Sequence, residues 1–410
     1  MEQFDIVIVG GGPAGLSAAY AASKAGASTL VLERKMEIGK PVHTSGGTYI
    51  QVMRETGVPD EYYHVIKTIR FSAPNEEAIF KLRKPITCVI DVTATYKYLA
   101  ERAGKAGAII RTGATVFEPQ IKGEFVTGCG YKDSDDRARF VKAKVTIDAS
   151  GHNAIIAKKA GLHHGFRRFG VGAEYEYNAP YCRQNEAVIV VGNRYAPAGY
   201  GWVFPWGKQR VRIGVGILNA DSTANPRDHL DLFVSEVHKI GVDLTDATIV
   251  ESHFGLVPSD GLASSFVGNG IMAVGDAAGQ PSQIAGEGIR LAIIAGQVAG
   301  ETGAKAIQKG VWDKNILLPY ENQFRNQFSR QLKVGYFINQ RMAQWDNDVW
   351  DKRVRRIKKM DPELVADLLQ SKFSFFPLLM FAIKTPSIWP GAFRRMVKYI
   401  IKGVAKAFNS

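Results

Sequence analysis

A chain of 410 residues, 46% hydrophobic and 22% charged, is long enough to bury a large core and to divide into two or three domains. It carries no low-complexity tract, which excludes a fibrous or largely disordered protein. A net charge of +13 calls for an anionic surface as partner, and with no recognised nucleic-acid module in the chain, lipid headgroups fit better than nucleic acid.

Residues 4–33 read as strand, turn, helix and strand: FDIVIV, then GGGPAG, an Ala-rich helix to about Lys24, and STLVLE after the stop at Gly26. Gly10, Gly12 and Gly15 make GxGxxG directly behind the strand. The first permits a tight turn, the second lets backbone approach a pyrophosphate, and the third packs helix on strand. The helix N-terminus faces the phosphates. Glu33 closes the next strand 18 residues after Gly15, where a carboxylate accepts from an adenosine ribose.

Further on, Thr95 to Lys105 favours helix, with Gly107 as its stop, and short strands are predicted at 108–110 and 141–147. Between Phe166 and Gly216 the runs VGAEYEY, EAVIVVG and RVRIGVGI, separated by Pro, Gly and Asn, predict an antiparallel sheet. The strand IMAVGD then precedes a small-residue helix from about Gly288 to Gly300, and the chain is mostly helical from Asp313. Asp276 ends its strand among small residues, as a carboxylate contacting a ribityl hydroxyl would. Gly286, Gly288 and Ile289 open a helix whose free N–H groups suit the flavin pyrimidine edge. The pair favours FAD over NAD. No second GxGxxG follows, so an external reductant, NAD(P)H or a ferredoxin-like donor, would bind transiently.

Cys88, Cys129 and Cys182 are odd in number, widely spaced and never CxxC, which fits neither a disulfide framework nor a zinc site. A cytosolic setting and no bound metal are expected. The chain enters its first strand-like run at Phe4 without the features of a secretion signal, and its longest apolar run, 373–383, is too short to span a bilayer and contains Pro377. From Arg341 to Ser410 fourteen Lys or Arg face six Asp or Glu. Phe393, Met396, Val397, Ile400, Ile401, Val404 and Phe408 recur at helical spacing among Arg394, Arg395, Lys398, Lys402 and Lys406. This basic amphipathic helix either lies in the interface of an anionic membrane, aided by FSFFPLLMFAI and Trp389, or packs on the body of the protein.

DIVIVGGGPAG with Glu33, IDASG at 147–151 and GDAAG at 275–279 together resemble flavoproteins of the para-hydroxybenzoate hydroxylase fold over roughly the first 310 residues. Within them, Tyr200, Trp202, Phe204 and Pro205, followed by Gly214 and Gly216, resemble the YxWxFP block and GxG of geranylgeranyl reductases. The resemblance implies an α/β FAD-binding domain (1–73, 88–163 and 266–312), an inserted antiparallel substrate domain (74–87 and 164–265) and a helical region (313–410). It implies saturation of isoprenoid double bonds in a lipid or prenyl diphosphate at the cytoplasmic membrane face, by hydride from reduced FAD plus a proton. Thr44, Ser45 and Gly47 carry over as flavin contacts, Ala14 as a phosphate-loop contact and Val116 as a backbone contact near the adenine.

Two departures stand out. Several members of the resembled family place a cysteine in the 43–47 loop where this chain has His43, Thr44 and Ser45, and many place an arginine where it has Val92. His43 or Tyr200 is the proton-donor candidate, with Trp202 beside them, and Tyr200, Trp202, Phe204 and Pro205 are the expected substrate wall. Two rival readings remain: a flavin monooxygenase or halogenase of this fold, and a non-catalytic electron-carrying flavoprotein.

Overall fold

The computed structural model describes residues 1–372. Ile6 to Val9 are all buried, as a parallel strand covered on both faces should be. That strand, Glu2–Val9, pairs in parallel with Thr29–Leu32 on one side and Ala138–Asp148 on the other. Ile109–Arg111 extends the sheet beyond the first and Ile271–Ala273 beyond the second. At eleven residues, Ala138–Asp148 can share its outer edge: its first half pairs with the hairpin strand Phe125–Lys132, its second with Ile271–Ala273. That sharing seats a strand from the far end of the chain beside the first βαβ unit.

The helix expected to end near Gly300 runs Ile289–Lys309. Its interior glycines mark a close approach: a Cβ at Gly296 would stand 2.1 Å from the Ala14 carbonyl oxygen and one at Gly300 2.3 Å from that of Ala18. Packing against Pro13–Lys24 outweighs the low helix propensity of glycine there. The helix expected from Thr95 starts earlier, at Val92, because the Asp91 side chain caps it by accepting from the Ala94 N–H at 2.9 Å.

The second sheet runs in the order Thr248–Pro258, Phe169–Asn178, Arg210–Leu218, Gly199–Gly207, Glu186–Val190, Thr68–Ser72, Glu77–Lys81. It is antiparallel except where Glu186–Val190 meets Thr68–Ser72. The boundary expected at 73/74 therefore needs correction, since it cuts a hairpin whose strands pair from Thr68↔Lys81 to Ser72↔Glu77. One face of this sheet presents Tyr175, Val203, Val211, Ile213 and Val215 to Leu230 and Phe233 of the helix Pro226–Glu236. A small sheet of Gly47–Tyr49, Thr87–Ile90 and Tyr63–Ile66 packs beside its other face.

After Lys309 come the helices Lys314–Met342, Asn347–Ile357 and Pro362–Leu369, capped by Asp313, Asp346 and Asp361. The basic amphipathic helix, the 373–383 run and Trp389 lie outside the described residues. No described helix is long and apolar enough to cross a membrane. The three cysteines are buried and free, and no metal-binding cluster occurs among the described residues.

Candidate active site

The glycine loop has the shape its spacing requires. Gly10 has φ +112°, and a Cβ there would stand 2.2 Å from the Ala149 carbonyl oxygen, while one at Gly15 would stand 2.0 Å from the Gly10 carbonyl oxygen. Nothing lies within 4 Å of the corresponding point at Gly12. Gly12 is thus the open edge of the loop, and the helix Pro13–Lys24 behind it has no side-chain cap, which leaves its first N–H groups for an anion. IDASG forms the loop's wall: Asp148, fully buried, accepts from Ser150, Ile156 and Ala157 N–H and holds Ala149 against Gly10.

Glu33 accepts from the Gly11 N–H at 2.6 Å and the Lys35 N–H at 2.9 Å, so its carboxylate is fixed at the strand end beside the loop. The Ala114 N–H donates to the Glu33 carbonyl, which brings the strand containing Val116 alongside. The Val116 side chain itself is buried in the core with Val7 and Leu30.

Ala14 links the loop to the distant segment, because its Cβ would be 3.1 Å from a Cβ at Gly275. Asp276 follows, with no hydrogen-bond partner on its side chain among the described residues, and burial pushes its carboxyl up to about 6. Its Oδ1 would lie 3.6 Å from a Cβ at Gly288, the N-cap of Ile289–Lys309, which also lacks a side-chain cap. An open glycine cradle, a fixed acid, a second acid without a donor among the described residues and a helix N-terminus without a side-chain cap stand in succession, and could hold FAD with its ribose at Glu33, its pyrophosphate at the loop, its ribityl chain at Asp276 and its ring at Gly288–Ile289.

The sheet face beside this track is glycine-rich. Cross-strand register aligns Tyr200, Gly216, Gly172 and Gly255 in one row, Trp202, Gly214, Glu174 and His253 in the next, and Phe204, Arg212, Glu176 and Glu251 in a third. The Trp202 indole lies across the glycines: a Cβ at Gly214 would be 2.3 Å from it and one at Gly216 3.4 Å. Tyr200, Trp202 and Phe204 form an aromatic series with ring centroids 5.8 and 6.3 Å apart. Pro205 needs correction, because strand alternation turns it to the opposite face with Val203 and its partner Val211.

The 43–47 loop crosses this face. A Cβ at Gly255 would meet the His43 carbonyl oxygen at 2.5 Å, and one at Gly47 would be 3.3 Å from the Phe204 ring. Thr44 and Ser45 are half-buried between them. The His43 ring, at the rim, places Nδ1 2.8 Å from the Phe254 carbonyl oxygen; partial burial, with the nearby Lys35 and Arg34, lowers its pKa against the opposing pull of that carbonyl. The Tyr200 hydroxyl donates to the Ala285 carbonyl at 2.5 Å, and burial pushes its pKa up to about 12. Val92 is buried in one cluster with Ile289 and Ile293, so it offers no polar contact to a cofactor.

Residues 5–213 match the FAD dependent oxidoreductase family, and 171–257 match the geranylgeranyl reductase catalytic domain. Digeranylgeranylglycerophospholipid reductase 2 of Methanothermobacter thermautotrophicus is 32% identical over 338 residues, covering 81% of this chain and 86% of the relative. The chain belongs to the geranylgeranyl reductase family of FAD-dependent oxidoreductases. A solved geranylgeranyl bacteriochlorophyll reductase-like protein of Thermoplasma acidophilum superposes with a TM-score of 0.84 at 25% identity, covering 94% of this chain and 97% of that one. A flavin-dependent brominase shares the fold at a TM-score of 0.69 and 19% identity, covering 98% of this chain and 100% of that one.

Several groups in this geranylgeranyl reductase relative escaped the sequence reading. Arg212, 2% exposed, donates to Glu176 at 2.9 Å and to the Ser45 and Ile90 carbonyls at 2.9 and 3.0 Å, binding the flavin-facing loop to the sheet. Glu174 accepts from the Trp202 indole N–H at 2.6 Å and meets His253 at 2.8 Å. Burial opposes charge on His253, but Glu174 and Glu251 outweigh it and raise its pKa. Glu287, whose pKa burial raises, accepts from the Arg290 N–H and faces Thr48 at 3.5 Å, bridging the two flavin-facing segments. The one available signal was a charge inside an otherwise apolar strand pattern, as in RVRIGVGI and VGAEYEY.

Proposed function

We propose that the chain saturates carbon–carbon double bonds in the isoprenoid chains of lipid precursors, geranylgeranyl ether lipids or prenyl diphosphates. The observation that carries the reading is the aromatic series Tyr200–Trp202–Phe204, with the Trp202 indole laid over Gly214 and Gly216 and the Phe204 ring beside Gly47 of the 43–47 loop. A row of tilted rings beside glycine backbone can take a long apolar chain without specifying its polar end.

Reduced FAD, when bound, supplies the hydride that adds to one carbon of the double bond. The neighbouring carbon takes a proton, and Tyr200 is the better-placed source: its hydroxyl lies against the 285–286 turn, where a Cβ at Gly286 would be 3.5 Å from it. His43, with its pKa lowered and its ring on the Phe254 carbonyl, is mostly neutral at physiological pH and serves to hold the loop rim. Trp202, fixed by Glu174, positions the chain. NAD(P)H or a ferredoxin-like protein restores the flavin from outside, and the positive charge from Arg341 onward supports work at the cytoplasmic membrane surface.

The test is reduction of the flavin with dithionite under anaerobiosis, followed by addition of a geranylgeranyl ether lipid. Flavin reoxidation with product mass rising in two-hydrogen steps is expected. Reoxidation that waits for oxygen would sink the reading and make a monooxygenase or halogenase the working hypothesis.

A further inference from the structure

Beyond the flavin site, an open groove of about 380 Å³ lies between the end of Lys314–Met342 and the helix Asn347–Ile357, lined by Phe337, Gln340, Arg341, Gln344, Trp345 and Arg353. We propose that this groove binds the phosphate-bearing headgroup of the isoprenoid substrate, an inference that rests on the reading just given.

The lining holds two cations, two amides and two aromatic rings, and no acid. Among the described residues neither Arg341 nor Arg353 has a carboxylate partner, whereas Arg355 on the same helix pairs with Glu76 at 2.7 Å. Nearby acids are engaged elsewhere: Asp346 caps its helix through the Val349 N–H, and Asp351 holds Asn75 by two hydrogen bonds. Each free guanidinium rests on a ring, Arg341 at 4.3 Å from the Phe337 centroid and Arg353 at 4.9 Å from that of Trp345. Stacking in this way holds the plane of the guanidinium and leaves its edge N–H groups to a bidentate acceptor such as phosphate. Burial and neighbouring Arg356 disfavour the charge on Arg353, a cost that a bound anion would relieve.

Beside the groove lies an apolar cluster that shares Trp345 with its lining. Trp345 packs edge-on against Trp350 at 4.8 Å, and Trp345, Met342, Phe71, Ile189 and Tyr200 belong to one apolar cluster. These half-buried side chains lie against the same cluster as Tyr200, at the end of the aromatic series, and offer an apolar surface to an isoprenoid chain whose headgroup sits between Arg341 and Arg353. Anchoring the phosphate at a distance from the ring series separates recognition of the headgroup from presentation of the double bond.

Binding of geranylgeranyl diphosphate and of geranylgeraniol to the full-length holoprotein, followed by tryptophan fluorescence, tests this. In Arg341→Gln/Arg353→Gln the affinity ratio of diphosphate to alcohol should fall roughly ten- to a hundredfold, while Arg341→Lys/Arg353→Lys should keep part of it. An unchanged ratio in the Gln variant overturns the proposal, as does a Lys variant that loses as much. Phosphatidylglycerol vesicles without isoprenoid form the control arm. If the Gln variant loses vesicle binding in place of diphosphate preference, the groove is a membrane contact and the headgroup assignment falls. Because binding is read without turnover, the result stands apart from whether the flavin reduces the chain.

Discussion

Asp276 is the side chain whose ionisation can test a flavin contact. Its folded-state pKa, about 6, lies above the ordinary 3.8 because burial penalises the charged form and no donor compensates. Stability from the protonated acid is therefore fully present below about pH 4 and is lost as the pH rises through about 6. Flavin-free Asp276→Asn should melt above the wild type at neutral pH and level with it in acid. Bound FAD should reverse the neutral-pH order, because a carboxylate accepts a ribityl hydroxyl better than an amide does, by about 1–2 kcal/mol. Melting temperatures with and without FAD at the two pH values decide it; an order indifferent to FAD removes Asp276 from the flavin site. Glu33 and the loop glycines were legible in the sequence because their contacts are local, within one βαβ unit. The environment of Asp276 depends on a helix and a strand far along the chain.

At the scale of elements, the two helices that present the flavin's binding edges are held together by absent side chains. Pro13–Lys24 offers Ala14 and Ala18, and Ile289–Lys309 answers with Gly296 and Gly300. The spacing of four residues repeats on both, so backbone meets backbone along a shared ridge. Sequence propensity reads a glycine at 300 as an end, and only the partner helix explains its place in the interior. Gly296→Val would push a branched side chain into the Ala14 carbonyl, 2.1 Å from the Cβ position, and the helices would have to separate. The expected cost is about 3 kcal/mol in stability. FAD retention should fall with it, since Ala14 and Gly288 then move apart. Urea denaturation and flavin content after gel filtration measure the two; loss of stability with full FAD retention would show that the helix contact does not set the cofactor site.

Across the whole molecule, three segments distant in sequence converge: the 43–47 loop, the 276–289 turn and the glycine face of the second sheet. The sequence exposed each segment but not their meeting, because the groups that join them are cross-strand neighbours fixed by register. Trp202, Glu174 and His253 share a row only when the strands are aligned, and Gly214 reads as a weak strand residue until the indole above it is seen. Arg212 is the strongest of these joints, since one guanidinium ties Glu176 on its own sheet to Ser45 in the loop and Ile90 in the small sheet. In Arg212→Met the two carbonyls lose their donor, while Glu176 keeps its bond to Arg210. The loss should therefore lie near the lower end of the roughly 3–5 kcal/mol seen when a buried pair is broken. Adding Glu176→Gln should recover little, because the remaining Arg210 then loses its acid. A double-mutant cycle by thermal denaturation, with the FAD release rate as second readout, tests this. Faster flavin release in Arg212→Met is expected, and release as slow as wild type would mean that the loop holds its place over the sheet without Arg212.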